Sequence, residues 1–452
     1  MKVHFISIGG SVMHQLAIAL KRKNYEVTGT DDEIFEPAKT NLETENLLPK
    51  RIGWQPELIT SDIDAIILGM HAKADNPELI KAKELGLKIY SFPEYIYQES
   101  INKTRVVVGG SHGKTTTTSM IMHVLKECHQ QFDYLVGARL EGFDQSVNIT
   151  DAPVIICEGD EYPASAIEKK PKFHFLFPHI AILTGIAWDH INVFPTFDFY
   201  LEQFIIFINK IEKNGILIYN ETDAVLKDLV EKNKRNDIRY QSYQIPEHTI
   251  VNGETTVIIN NVKGELKIFG NHNLLNLNAA YYACKELGIN ARQFIDAIAN
   301  FTGAAKRLEL MAHNAETNVY RDFAHAPSKV KATIDAVKQQ YPNRKLLAVL
   351  ELHTYSSLNE QFMKEYNGAM DKADEAVVFY SHHALELKRM PVLPKEKVIE
   401  GFNKKNLLVM SDKNELWKWL QQQSFTNANL LLMSSGNYDG LDIIGFANTI
   451  TK

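Results

Sequence analysis

Gly110-Ser111-His112-Gly113-Lys114-Thr115, followed by Thr116, is the stretch with the most specific chemistry. It lies between a strand-like run, 104 to 108, and a helix with an apolar stripe at Met120, Ile121, Val124 and Leu125. Such a turn aims consecutive backbone N–H groups and the positive end of a helix at phosphate oxygens. Its glycines let the chain pass close, its lysine neutralises charge, and its threonine hydroxyl ligates magnesium. Val108 stands where the usual pattern has its first glycine, but the Gly-Lys-Thr core and both flanking elements are intact.

A nucleoside triphosphate carried by magnesium also needs carboxylates. Glu158-Gly159-Asp160-Glu161 follows an apolar strand pattern, Ala152 to Cys157, and Asp189-His190 follows another, Ile180 to Thr184. Both emerge at carboxyl ends of strands, where ligands collect in open α/β sheets. With Thr115, Glu158 and His190 would complete a two-magnesium site, although each alone reads as a solvated acid or a cap. Gly270-Asn271-His272-Asn273-Leu274-Leu275-Asn276 opens a helix. Asn271 is first of all a cap, while Asn273 and Asn276, one turn apart, can both face a base. Arg307, in Lys306-Arg307-Leu308-Glu309, is by itself a surface ion-pair residue; carried into a cleft by another domain it would steady a transferring γ-phosphoryl group. Asp322-Phe323-Ala324-His325-Ala326-Pro327 lies just beyond.

These residues need a framework, and the chain is long enough to supply several. Its 452 residues exceed one hydrophobic core. Apolar residues at 45% and charged residues at 23% describe a folded globular chain. A net charge of -6 with dispersed Lys and Arg excludes nucleic acid as the main partner. No apolar run is long enough to span a bilayer, so no membrane insertion is expected. Gly9-Gly10 interrupts the first apolar run, which reads as a strand, turn and helix and not as a signal peptide. Three distant cysteines, Cys128, Cys157 and Cys284, suit a reducing, cytoplasmic setting.

Lys2 to Ile8 reads as a strand, Gly9-Gly10-Ser11 as a turn, and Val12, Leu16 and Leu20 as a helix face. A second strand, Glu26 to Thr30, ends in Asp31-Asp32, where dinucleotide-binding folds place an acid on the ribose hydroxyls. The third fingerprint glycine is absent, so an ordinary strand-turn-helix stays open as an alternative. Further strands fit Asp64 to Leu68 and Lys88 to Ser91, with a helix at Pro77 to Glu84; a hairpin is expected around Asn260-Asn261 and a helix from Asn273 to Leu287. After Gly303 strands at 346 to 350, 375 to 379 and 429 to 433 alternate with helices. Boundaries at the polar stretch Gln98 to Lys103 and near Gly303 give three α/β domains in series: 1–102, 103–302 and 303–452.

The six motifs quoted above, in this order and at this spacing, resemble the Mur ligases, the ATP-dependent amide-forming enzymes of bacterial peptidoglycan. The resemblance covers essentially the whole chain. It implies a Rossmann-like N-terminal domain that binds a UDP-sugar, a central P-loop ATPase-like domain, and a Rossmann-like C-terminal domain that binds the acceptor. Carried over by motif, the cofactors are ATP and magnesium. The turn Gly110 to Thr116 would cradle the phosphates, with Lys114 on the β- and γ-phosphates. Thr115 and Glu158 would hold one magnesium, and Glu158 with His190 another. His272, Asn273 and Asn276 would lie near adenine, Arg307 on the γ-phosphate and Asp322 on the ribose. Gly9, Gly10, Ser11, Val12, Met13 and Asp31 would face the UDP group, and His71 and His353 the substrates.

Gly9-Gly10-Ser11-Val12-Met13 and Thr28-Gly29-Thr30-Asp31 resemble the members that accept UDP-N-acetylmuramate itself. Glu161-Tyr162, the interval from Glu158 to His190, the segment Asp31 to Pro37 and Phe323-Ala324-His325 resemble those adding the tripeptide L-alanyl-γ-D-glutamyl-meso-diaminopimelate in peptidoglycan recycling, more than those adding free L-alanine. Ala326 and Glu351-Leu352-His353-Thr354 depart from the family pattern, so the acceptor pocket is the least constrained part. The expected chemistry is attack of the lactyl carboxylate on the γ-phosphate, then capture of the acyl phosphate by the amine, with His325 or His353 assisting proton transfer. A P-loop kinase and a non-catalytic nucleotide-binding module are the rival readings. Small molecules are the expected partners, with the chain a monomer or homodimer.

Overall fold

Four sheets, separated in sequence, carry the fold of the computed structural model, which describes residues 1–70, 72–137, 140, 142–188, 193–303 and 307–452. His71, Asp189, His190 and Lys306 lie outside the described residues. The chain divides into two compact units, Met1–Gln244 with Leu275–Ile298, and Ile245–Leu274 with Ala299–Lys452.

The first unit opens with β1 (Lys2–Ile6), β2 (Glu26–Thr30), β3 (Ala65–Leu68) and β4 (Ile89–Ser91), an all-parallel sheet in the order β2-β1-β3-β4. The chain turns one way after β1 and the other way before β3, so the turn Ser7–Ser11 lies at the switch point where open sheets bind ligands. The seven-stranded sheet follows: β5 (Thr104–Gly109), β6 (Asp133–Leu135), β7 (Val147–Asn148), β8 (Val154–Glu158), β9 (Ile180–Leu183), β10 (Ile216–Asn220) and β11 (Arg239–Tyr243), in the order β11-β10-β9-β5-β8-β6-β7. Only the short β7 runs antiparallel. Val106, Val107 and Val108 of β5 are fully buried, as a central parallel strand covered on both faces requires. One apolar cluster takes in Phe5 and Leu16 beside the first sheet and Leu135 and Val147 in the second.

In the second unit, β12 (Glu247–Val251), β13 (Glu254–Ile259) and β14 (Val262–Leu266) form an antiparallel meander. Asn260 and Asn261 make the expected tight turn, with φ of 47° and 64°, the left-handed pair that matches strand twist. The last sheet holds β15 (Glu309–His313), β16 (Thr317–Asp322), β17 (Lys345–Glu351), β18 (Glu375–Phe379), β19 (Leu408–Met410) and β20 (Ala428–Met433), in the order β15-β16-β20-β17-β18-β19, parallel except for β15. Gln340 fastens the meander to the helix Pro327–Gln340, accepting from Thr255 Oγ1 at 3.0 Å and donating to the Gly253 carbonyl at 2.6 Å. The three cysteines are free thiols, and among the described residues no helix is long and apolar enough to cross a membrane.

Candidate active site

The phosphate-type turn is built where the sequence places it, between β5 and the helix Lys114–Glu127. Gly110 has φ of +125° and Gly113, which caps the helix, has φ of +79°. A Cβ on Gly110 would run into Thr184 Oγ1, and one on Gly113 into Asn276 Oδ1. Thr184, at the end of β9, donates to the carbonyls of Gly109 and His112. Ser111 Oγ lies 2.8 Å from the buried Tyr200 hydroxyl and accepts from the Ala187 N–H at 2.9 Å. The turn is thus fixed by its neighbours before any ligand arrives.

Register delivers the acids. Val108 pairs with Glu158, so the end of β8 stands beside the start of the turn. Thr115 Oγ1 donates to Glu158 Oε1 at 2.8 Å, and the Gly137 N–H donates to the other Glu158 oxygen at 3.0 Å. Lys114 Nζ is held at 2.6 Å by both the Gly110 carbonyl and the buried Glu161 carboxylate. Burial opposes the charge of Lys114, but Glu161, with Asp160 and Glu158 behind it, outweighs that and raises its pKa above the ordinary value. The ammonium is therefore a fixed positive charge at the loop mouth. Lys172 pairs with Asp160 at 2.5 Å and stands over the Tyr162 ring.

The hydroxyl of Thr115 and the carboxylate of Glu158 are adjacent hard oxygen donors, a set that suits magnesium, which binds through one or two carboxylates while keeping waters and phosphate oxygens. Among the described residues no group of three or more His, Cys, Asp or Glu could enclose a metal. Thr115 and Glu158 would supply part of a coordination shell, and His190, expected as a further ligand, lies outside the described residues.

At the turn after β1 the structure changes the role expected of Asp31. Its side chain is fully buried and points inward, accepting the Gly9 N–H at 2.7 Å and the Asp32 N–H at 3.0 Å. Asp31 braces the glycine turn where a ribose contact was expected. Met13 is buried as well, so of the expected contacts Gly9 and Ser11 line an open cavity of about 500 Å3 together with Arg22, Phe35 and Asn41. Val12 lines a second cavity of about 70 Å3, whose wall includes Gly137, Glu158 and Asp160. Burial raises the Asp31 carboxyl to about 6 against the pull of the Gly9 N–H. A raised acid stabilises the fold fully below its unfolded pKa, near 3.8, and loses that contribution as pH rises through about 6. A carboxyl 13C titration should find Asp31 near 6; a midpoint at or below 4 would mean that the two N–H groups outweigh burial.

In the second unit, both Asp322 oxygens accept backbone N–H groups, from Leu308 and Ala324, each at 2.6 Å. Arg307 stacks on the Phe323 ring at 4.8 Å, and His325 Nδ1 donates to the Phe323 carbonyl at 2.9 Å. These residues gather at the end of β16. Burial pushes the His272 imidazole down to about 4, leaving it neutral. Asn273, expected near a base, is buried, and its Nδ2 donates to the Phe269 carbonyl at 2.9 Å. Glu351 is buried at the end of β17, accepts from Tyr438 N–H and Ser434 Oγ, and stands 3.9 Å from His353. His325 and His353 thus occupy the ligand-collecting edge of the last sheet. The sequence reading missed Tyr200, Thr184, and the pairing of Lys114 with Glu161. Tyr200 carries no motif, whereas Glu161 was visible as an acid at a strand end.

Comparison with known proteins shows the family. Residues 2–100 match the model of the Mur ligase family catalytic domain, 108–284 the Mur ligase middle domain, and 306–436 the Mur ligase glutamate ligase domain. A UDP-N-acetylmuramate–L-alanine ligase of Carboxydothermus hydrogenoformans is 29% identical over 98% of this chain and 96% of its own. One from Clostridium kluyveri is 31% identical over 83% of this chain and 82% of its own. Among solved structures, a UDP-N-acetylmuramate–alanine ligase from Thermotoga maritima superposes with TM-score 0.68 at 21% identity, covering 100% of this chain and 98% of that one. A murein peptide ligase from Psychrobacter arcticus does so with TM-score 0.62 at 21%, with the same coverage. With all three domain models in order and a relative above 30% identity across most of its length, the chain belongs to the Mur ligase family.

Proposed function

We propose that this enzyme, an ATP-dependent ligase by family, joins the lactyl carboxylate of UDP-N-acetylmuramate to the amine of L-alanyl-γ-D-glutamyl-meso-diaminopimelate, in the cytoplasm. The observation that carries the reading is the cavity shared by Val12, beside the glycine turn of β1, and Glu158, beside the phosphate turn of β5. Gly137 lines both this cavity and the one at Gly9 and Ser11, which supports a path for a sugar-linked carboxylate toward the place where Lys114 and Thr115 would hold a γ-phosphate.

A carboxylate is a poor electrophile, and oxide is a poor leaving group. In the proposed reaction a lactyl oxygen attacks the γ-phosphorus in line, the bond to the β-bridging oxygen breaks, and ADP leaves. Lys114 neutralises charge on the equatorial oxygens as they become more negative. Magnesium held by Thr115 and Glu158 would supply further charge neutralisation when bound. The acceptor amine, as free base, adds to the acyl carbon; the tetrahedral adduct expels phosphate, and the amine proton passes to a base. His325 and His353, at the ends of β16 and β17, are the proposed proton acceptors.

Glu161-Tyr162 and the segment from Asp31 to Pro37 favour the tripeptide through their resemblance to the members that add it; Phe35 and Pro37 line the larger cavity. The named activity of the curated relatives favours free L-alanine as the second reading. The test offers ATP, magnesium and UDP-N-acetylmuramate with each acceptor separately. The tripeptide should give a kcat/KM at least about tenfold higher, a difference of about 1.4 kcal/mol in transition-state stabilisation. The reverse order would move the assignment to L-alanine, and ADP release that needs no amine would identify a kinase.

A further inference from the structure

Two polar side chains at the start of the helix Met13–Arg22, His14 and Gln15, line the larger cavity beside Gly9 and Ser11 but take no part in the bond-making steps described above. His14 is 3% exposed. Its Nδ1 lies 2.8 Å from the Gly10 carbonyl oxygen, which only accepts, so this nitrogen carries the proton. Nε2 is then an acceptor, and it receives the amide nitrogens of Gln15 at 2.8 Å and Asn41 at 3.3 Å. Burial lowers the pKa of His14, which keeps the neutral ring this arrangement requires. With its nitrogen committed to His14, Gln15 turns Oε1 outward and accepts the Ser146 N–H at 3.3 Å.

From Ser146 the contacts continue to the phosphate site. The Ser146 carbonyl accepts the Val136 N–H at 2.9 Å, and the next residue, Gly137, donates its N–H to Glu158. Glu158 accepts in turn from Thr115. The backbone carbonyls along this path only accept and the backbone N–H groups only donate, and they fix the sense of the side chains between them. A sequence of polar contacts with fixed sense therefore runs from the turn at Gly9–Ser11 to the residues proposed to hold magnesium and phosphate. An enzyme that activates a carboxylate with ATP gains from such a link, since ATP engaged without the sugar is exposed to hydrolysis.

We propose that Gln15 is a positioning residue that couples occupancy of the sugar-nucleotide turn to the geometry of the Thr115–Glu158 pair, so that each ligand tightens binding of the other. The ligands at the two ends rest on the function proposed above. Coupling of this kind is reciprocal and is read as a ratio of affinities, independent of what a substitution does to either affinity alone.

The test measures Mg·ADP affinity by calorimetry, with and without saturating UDP-N-acetylmuramate, for the full chain and for Gln15→Met, which keeps length but has no amide. The sugar nucleotide should tighten Mg·ADP at least about fivefold in the native chain, and Gln15→Met should bring that ratio to about one. Gln15→Asn, which keeps the amide but shortens its reach, should also lose the coupling. A second readout needs no sugar: the His14 ring 15N shifts should respond to Mg·ADP in the native chain and not in Gln15→Met. An unchanged ratio in both variants, no coupling in the native chain, or a His14 ring indifferent to Mg·ADP would each overturn the relay. Failure of UDP-N-acetylmuramate to bind the native chain would instead overturn the proposed substrate, leaving the 15N experiment to judge Gln15.

Discussion

Lys114→Ala is expected to lower phosphate release by about 10³-fold or more, and Glu161→Gln in the same chain to restore stability without restoring turnover. The first effect follows from removing the cation nearest the transferring group, where charge grows in the transition state. The second follows from the pairing of Lys114 with Glu161 at 2.6 Å, with Glu161 1% exposed. Removing one partner of a buried ion pair costs about 3–5 kcal/mol, because the remaining charge loses its compensation. Glutamine removes that charge and keeps the shape. Turnover and a denaturation midpoint for the single and double variants separate the two roles. Turnover near the native rate in Lys114→Ala would end the ligase scheme as written.

Gly113→Ala should lower kcat/KM by about 10²-fold while costing the fold about 1–3 kcal/mol. Part of the stability loss is conformational, since φ of +79° disfavours any residue with a Cβ. The rest is steric, because the new methyl would meet Asn276 Oδ1. Activity falls further than stability because the turn must hold its N–H groups on the phosphate, and a displacement near 1 Å costs about 10²-fold. Adding Asn276→Ala removes the collision but not the strain, so stability should return in part. Measured kcat/KM within about twofold of native for Gly113→Ala would show that close backbone approach at this residue is not used.

Several elements were legible because their signals are local. The strand Glu26–Thr30, the helix Pro77–Glu84 and the strand Glu375–Phe379 lie where periodicity put them. The Asn260-Asn261 turn is legible because few residues other than glycine and asparagine accept two left-handed conformations in succession. The strand Ile216–Asn220 went unread; its residues are all buried, and a short apolar run does not distinguish a central strand from a piece of helix.

What the amino-acid sequence determined by itself is the inventory of the site. Gly110, Gly113, Lys114 and Thr115 could be named because strand, glycine turn and helix impose residue types at fixed offsets, and Glu158 because it follows an apolar strand pattern at its carboxyl end. The tertiary structure decided which of these groups meet. Lys114 and Glu161 are 47 residues apart, and Thr115 and Glu158 are 43 apart; only the parallel register of β5 with β8 brings them within hydrogen-bond distance. It also decided the direction of Asp31, an acid at a strand end that turns inward to hold the Gly9 N–H. Sequence spacing places a residue along a strand, but the side chain turns toward whichever donor the packed neighbours leave closest.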